Sequence, residues 1–371
     1  MNTRERFQAT CRFEPTDRPI RYEALGFWDE TIARWHGEGL PETVIDAAFT
    51  APEHFGFDKL SWLPIMPNTD YEPGFWPIFE ETVIEETDKY IIKTDVGGST
   101  VKVMADGRSI IPQYLDHPVK TLEDFEALKW RLDPETPERY TDFMDPMSAL
   151  AMSYGDDTYT CAHQCGLFGT WRLLMGLVGT SVAMRKDPKL LHAIAEHWVY
   201  LNEVTIKKVR EKATIDWVFF FEDMSYRNGP MISPRAFVEF MTPYYTRLIH
   251  ILKADTDITM FCADSDGDVT KIIPLFIEAG INMMLPFEVN AGMDIRKVRE
   301  AYPDLVILGG LDKMALFNDE ASFRAEVEGK VPWMLEQGGY IPSLDHNVSP
   351  EVSLSSFERF LELVRAVPGK A

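Results

Sequence analysis

Cysteine is scarce: only Cys11, Cys161, Cys165 and Cys262 occur in 371 residues. Four thiols so spaced make no disulfide framework in a chain of this length, so reduced cysteines and a cytoplasmic setting are expected. Long apolar runs are missing too. No uninterrupted apolar stretch approaches the roughly 18 residues that read as a membrane span. The opening MNTRERFQAT lacks the apolar core of a secretory signal. Basic residues are outnumbered, 37 Lys and Arg against 59 Asp and Glu, for a formal charge of -22. That balance argues against nucleic acid and anionic membranes as partners, and it could orient a basic partner protein. There is no G-x-G-x-x-G or G-x-x-x-x-G-K-[ST] phosphate loop, no internal repeat and no linker-like tract. The whole chain, 1–371, therefore reads as one domain.

What the sequence does have is a rhythm. From about residue 155, short apolar runs alternate with longer helical patterns. The runs are Thr158 to His163, Ile215 to Phe221, Ile258 to Cys262, Ile281 to Leu285, Leu305 to Leu308 and Tyr340 to Leu344. Their length suits strands, and their continuous apolarity suits strands covered on both faces. Between them, Asp187-Pro188 and Ser233-Pro234 each offer an N-cap followed by proline at the first helical position. Lys271 to Ala279 forms a helix that stops at Gly280, and a last helix runs from about Leu354 to Val367. Six such units imply a parallel sheet. Pro19 to Glu23 and Lys59 to Leu63 are the candidates for two further strands, giving an α/β fold of the (β/α)8 TIM type. A doubly wound open sheet is the competing architecture, without a phosphate loop to support it. Thr82 to Met104, β-rich around Asp95 and Gly97-Gly98, reads as an inserted hairpin or meander acting as a lid or flank.

In α/β barrels the chemistry sits beyond the C-terminal ends of the strands. The residues following each run are therefore the place to look. They are His163, Gln164 and Cys165; Glu222 and Asp223; Asp264 and Asp266; Glu288; Gly309, Gly310 and Asp312; and Asp345 and His346. Capping of the following helices is the plainer explanation for any single Asp, but His and Glu are not preferred caps. Asp264-Ser265-Asp266 stands out, because residues two apart on an extended chain point the same way. Asp264 and Asp266 can reach one ion together, with Cys262 deeper on the same face. His346 could add a nitrogen and Glu222 another carboxylate. Such a set can hold zinc with an open position, and would also suit manganese or iron. A hydrogen-bonded carboxylate cluster without metal is the alternative. In Cys161-Ala162-His163-Gln164-Cys165, His163 reads as a pocket residue and Cys161 as packing. Trp62, Phe75, Trp76 and Trp171 could wall an apolar pocket, and the sequence assigns none of them to it.

Several blocks resemble the uroporphyrinogen decarboxylase-like superfamily: RERFQATCRFEPTDRPI at the start, Ser265-Asp266-Gly267-Asp268, IEAGIN, LPFEVNAGMD, LGGLDK and GGYIPSLDHNVSPEVSLSSF. The resemblance implies a TIM-type barrel with an N-terminal helical part and one of two chemistries, cofactor-free decarboxylation of a porphyrinogen or zinc-assisted methyl transfer involving a corrinoid. The decarboxylase motif M-R-Q-A-G-R-Y corresponds here to RPIRYEALGFWDET. Only Arg18 and Arg21 remain there, and Glu23, Asp29 and Glu30 would repel a carboxylated substrate.

Thiol-methylating relatives hold zinc on His-x-Cys and a distant Cys, which correspond to Asp264-Ser265-Asp266 and His346. The resemblance thus implies Zn2+ on Glu222, Asp264, Asp266 and His346, with His163 and Asp223 as catalytic residues that orient substrate or ligands. Oxygen and nitrogen ligands donate less charge than thiolates, which makes a stronger Lewis acid, suited to a poor leaving group such as a phenyl methyl ether oxygen. The expected activity is O-demethylation of a methoxylated aromatic by a methyltransferase. With no D-x-H-x-x-G cobalamin motif in the chain, the cobalamin has to come from a separate corrinoid protein. A porphyrinogen decarboxylase and a non-catalytic small-molecule-binding barrel are the rival readings. The sequence leaves the oligomeric state open, a homodimer among the options.

Overall fold

The computed structural model describes residues 1–46, 49–64, 74–105 and 112–369. Its centre is a curled sheet of seven parallel strands. They are β1 (Leu60–Pro64), β2 (Tyr159–Cys165), β3 (Trp217–Phe221), β4 (Met260–Ser265), β5 (Met283–Pro286), β6 (Val306–Leu308) and β7 (Tyr340–Ile341). Each pairs with the next in chain order, the succession of a TIM-type barrel. Six of the seven fall on the apolar runs, and β1 falls on the Lys59 to Leu63 candidate.

The eighth expected strand is a correction. Pro19 to Glu23 joins no ladder. Its backbone is satisfied differently: Arg21 N–H donates to the Asp58 carboxylate at 2.8 Å, Arg21 C=O accepts from Asp58 N–H at 2.8 Å, and Ala24 N–H donates to Ser343 Oγ at 2.9 Å. Asp58 precedes β1 and Ser343 follows β7, so this segment bridges the seam between the first and last strands. Pro19 has no N–H to give to a ladder, and side chains take the bonds a strand would have made.

Alternation along the strands divides the interior in two. Tyr159 and Cys161, Trp217 and Phe219, and Met260 and Cys262 face the barrel axis in one buried cluster, continued by Met283, Leu285, Val306, Leu308 and Ile341. Phe7 and Cys11 of the first helix, Thr3–Cys11, join that cluster from the closed end, Phe7 stacking on Tyr159 with ring centroids 4.4 Å apart. The intervening residues, among them Ala162, Val218, Phe220, Ala263 and Ile307, belong to a second core under the surrounding helices. Burying one phenylalanine such as Phe7 contributes roughly 2–3 kcal/mol.

The helix signals hold locally. Asp187 caps the helix Pro188–Arg210, Ser233 caps Pro234–Phe240, Gly280 ends Ile273–Ala279 at φ 105°, and the last helix is Leu354–Ala366. Among the described residues, the helix Leu167–Lys186 is long and apolar enough by composition to cross a membrane; 56% of its most apolar window is buried inside the protein. It kinks at Gly176, φ 70°, where a Cβ would lie 2.5 Å from His117 Nε2. The inserted segment is an antiparallel meander of Thr82–Glu86, Tyr90–Thr94 and Thr100–Met104, extended by a fourth strand, Gln113–Asp116. The chain leaving it docks at that kink, Val119 N–H donating to Leu174 C=O at 3.0 Å. The chain following the meander is thus tethered to the helix Leu167–Lys186.

Candidate functional site

Strand alternation decides which strand-end side chains reach the mouth. The inward series Tyr159, Cys161 ends in His163, 6% exposed, its ring 4.8 Å from that of Phe219. The inward series Met260, Cys262 ends in Asp264, 3% exposed, whose charge helps push the Cys262 thiol upward after burial itself.

Beyond the strand tips, the loops bring three further side chains together. Asp266 follows β4, Glu288 follows β5 and His346 follows β7. One ligand atom from each lies within 4.8 Å of the others, the one such set with three members among the described residues. His346 Nε2 stands 3.4 Å from Asp266 Oδ2. Glu288 Oε2 accepts from Gly267 N–H at 2.9 Å, which ties the two loops. Gly267 has φ 78°, and a Cβ there would strike the Tyr226 carbonyl at 2.7 Å, so only glycine fits. Asp345, buried next to His346, braces the same rim: its carboxylate accepts from Val289 N–H at 2.8 Å and Lys313 N–H at 3.0 Å. Burial raises its pKa to about 6. Phe287 and Asp223 both hold positive φ, 61° and 41°, at strand ends. Such backbone costs about 1 kcal/mol or more per residue and concentrates where side chains must be aimed.

The expected ligands therefore divide. Asp266 and His346 meet at the mouth. Asp264 stays on the inner wall of β4 and outside the three-membered set, since β4 ends at Ser265 and the two-residue alternation stops before Asp266. Glu222 is directed elsewhere. In β3 the inward residues are Trp217 and Phe219, which puts Phe221 on the inner side and Glu222 on the outer. Its carboxylate is fully buried and accepts from Leu167 and Gly169 N–H, both at 2.9 Å, and from the Tyr245 hydroxyl. Gly166 makes room for it, since a Cβ there would lie 2.3 Å from Glu222 Cδ. Burial, opposed by those donors, lifts its pKa to about 7. Asp223 is gripped by Arg172, 2.7 Å from Oδ2 and 3.1 Å from its carbonyl.

Glu288 appeared in the sequence among strand-end residues without being placed among the ligands, and Arg172 carried no signal there. Of the aromatic candidates, Phe75 and Trp171 fill the outer core, and the Trp62 side chain lies outside the described residues. Cys161 packs in the barrel interior.

By donor type, the Asp266, Glu288 and His346 set could hold a divalent metal. Two carboxylates and an imidazole are ligands zinc accepts in three-residue sites with an open position. For bonds of about 2.0–2.1 Å, tetrahedral ligand atoms stand about 3.3 Å apart, close to the observed 3.4 Å. His346 Nδ1 accepts from Asn347 N–H at 2.9 Å, which leaves the proton of a neutral ring on Nε2. Ligation through Nε2 requires that single proton to shift to Nδ1, which breaks the bond from Asn347 N–H.

Residues 92–367 match the family Uroporphyrinogen decarboxylase (URO-D). A uroporphyrinogen decarboxylase of Hydrogenobaculum sp. is 25% identical over 193 residues, 51% of this chain and 52% of its own length. One of Protochlamydia amoebophila is 24% identical over 185 residues, covering 46% and 48%. The chain thus spans about half the length of the curated relatives it matches. In fold it is similar to a methyltransferase from Methanosarcina mazei, with TM-score 0.66 and 13% identity over 98% of both chains. Because the family match covers residues 92–367, well over half of the sequence, this chain belongs to the uroporphyrinogen decarboxylase family.

Proposed function

We propose that the protein is a metal-dependent methyltransferase that takes a methyl group from a methoxylated aromatic and passes it to the cobalt of a separate corrinoid protein. The observation carrying this reading is the Asp266, Glu288 and His346 set at the barrel mouth. These residues hold the metal, zinc by their donor chemistry. Bound there, the metal supplies Lewis acidity toward the ether oxygen. The inner-wall side chains do the rest. Phe221, Leu285 and Leu308 offer an apolar wall that excludes water and orients an aromatic ring. His163, at the top of that wall, directs the ether, and Asp223, fixed by Arg172, orients polar groups of the substrate. As the methyl carbon moves to reduced cobalt, cobalt provides the new bonding pair, and the pair of the broken C–O bond stays on the phenolate oxygen.

The decarboxylase reading has the names of the curated relatives in its favour. Against it, Arg18 lies at the closed end of the barrel, paired with Asp58 at 2.6 Å, so it offers no carboxylate clamp at the mouth. Incubation with a panel of methoxylated aromatics and a reduced corrinoid protein distinguishes the two. Release of the phenol with methylation of cobalt is expected. Porphyrinogen decarboxylation without metal or corrinoid, and no phenol, refutes the proposal.

A further inference from the structure

The helix Leu167–Lys186 begins without a cap of its own. Its N-cap is Gly166, which has no side chain to accept the N–H groups that every helix start leaves unsatisfied. Glu222, just beyond β3, fills that place. Its carboxylate accepts from Leu167 N–H and Gly169 N–H, while Gly166 N–H donates to Phe221 C=O at 2.8 Å. Gly169 permits the approach as Gly166 does, since a Cβ there would lie 2.8 Å from the Phe221 carbonyl oxygen.

Further along, the same helix grips the residue next to Glu222. Arg172 donates to both the carboxylate and the carbonyl of Asp223. The backbone N–H groups of Glu222 and Asp223 share the Asp264 carbonyl, at 3.1 and 3.2 Å. The two neighbouring carboxyls thus have opposite surroundings. Glu222 is fully buried, whereas the Asp223 side chain is 32% exposed. The kink at Gly176 separates the segment from Leu167 to Met175 from the rest of its helix, so its placement depends on its two ends. His117 and Val119 hold the far end at the Leu173 and Leu174 carbonyls, and Glu222 holds the near end.

We propose that Glu222 is a positioning residue: by capping this helix from the strand it sets Arg172, and through Arg172 the Asp223 carboxylate that orients substrate at the mouth. The inference rests on the function proposed above, in which the mouth is the reaction site. Glu222 itself touches no substrate, because its carboxyl lies on the outer side of β3. Without the cap the first turn frays, and the guanidinium borne on the next turn loses its aim. Misplacement of a substrate-orienting group by about 1 Å costs on the order of 100-fold in rate.

The test joins NMR of the arginine side chains to O-demethylation kinetics, both at about pH 8, above the Glu222 pKa of about 7. In Glu222→Gln an acceptor is replaced by an NH2 group that meets the helix donors. The Arg172 Nε–H and Nη–H signals, assigned by their loss in Arg172→Lys, should move toward their positions in Asp223→Asn. Glu222→Gln should lower kcat/KM about 10- to 100-fold, yet less than about twofold further in the Asp223→Asn background. A merely structural role would lower both backgrounds equally. Should Glu222→Gln not fold, Glu222→Ala combined with Gly166→Ser supplies a cap from the helix itself, at the extended φ -68° and ψ 172° of that position. That protein should match the unaltered one in both readings. Unmoved Arg172 signals in Glu222→Gln, equal losses in both backgrounds, or displaced Arg172 signals in the recapped protein would overturn the proposal. If the unaltered protein demethylates no methoxylated aromatic, the function proposed above fails, and the Arg172 signals alone decide this inference.

Discussion

Replacing Glu222 by Gln tests the outward assignment of this carboxyl through the pH dependence of stability. Two effects compete at Glu222. Donors from Tyr245, Gly169, Leu167 and Phe168 favour the carboxylate, and complete burial favours the acid. Burial dominates, and the pKa rises from 4.5 to about 7. Between those two pH values the folded protein keeps a proton that the unfolded chain has lost, so this group's contribution is greatest below about pH 4.5 and falls as pH rises toward 7. At about 1.36 kcal/mol per unit, the decline is on the order of 3 kcal/mol. Urea unfolding of both proteins at closely spaced pH values reads it directly. The wild-type stability minus that of Glu222→Gln should fall by roughly that amount across the window and level off above it. A flat difference would mean that the donors cancel burial, and one that grows with pH that they outweigh it; either would refute the reasoning.

Other consequences are as direct. Asp345→Asn removes one of two acceptors that brace the rim beside Glu288 and His346, and metal affinity measured by competitive zinc titration should drop about 10- to 100-fold. Phe7→Ala empties the closed end of the barrel and should cost about 3–5 kcal/mol in urea unfolding. Gly310→Ala places a Cβ 2.1 Å from Ile295 Cγ2 at a residue with φ 79°; a fall in Tm of several degrees is expected, and an unchanged Tm would contradict the packing described.

Much of this architecture is legible in the sequence because strands covered on both faces must be apolar throughout. The same property hides their orientation. In Trp217-Val218-Phe219-Phe220-Phe221 nothing marks which residues face the axis, so Glu222 looked as available to the mouth as Asp266. Only the parity set by Phe7, Tyr159 and their cluster turns it outward. Asp266 and His346 were readable as strand-end groups, and so was Glu288, but its reach toward them depends on Phe287 and Gly267 turning the backbone through positive φ. The seam was not readable at all, since Pro19 to Glu23 has the apolar and aromatic content of a strand while its bonds go to Asp58 and Ser343. Nor was the Arg172 grip on Asp223, which joins a helix to a loop distant in sequence.

Zinc content after dialysis, determined by mass spectrometry, bears most directly on the mouth. The unaltered protein and Glu222→Gln should each retain one equivalent, while Asp266→Asn, Glu288→Gln and His346→Ala should each lose it with their folds intact. Metal absent from the unaltered protein after zinc loading, or retained by all three variants, would contradict the assignment of these side chains.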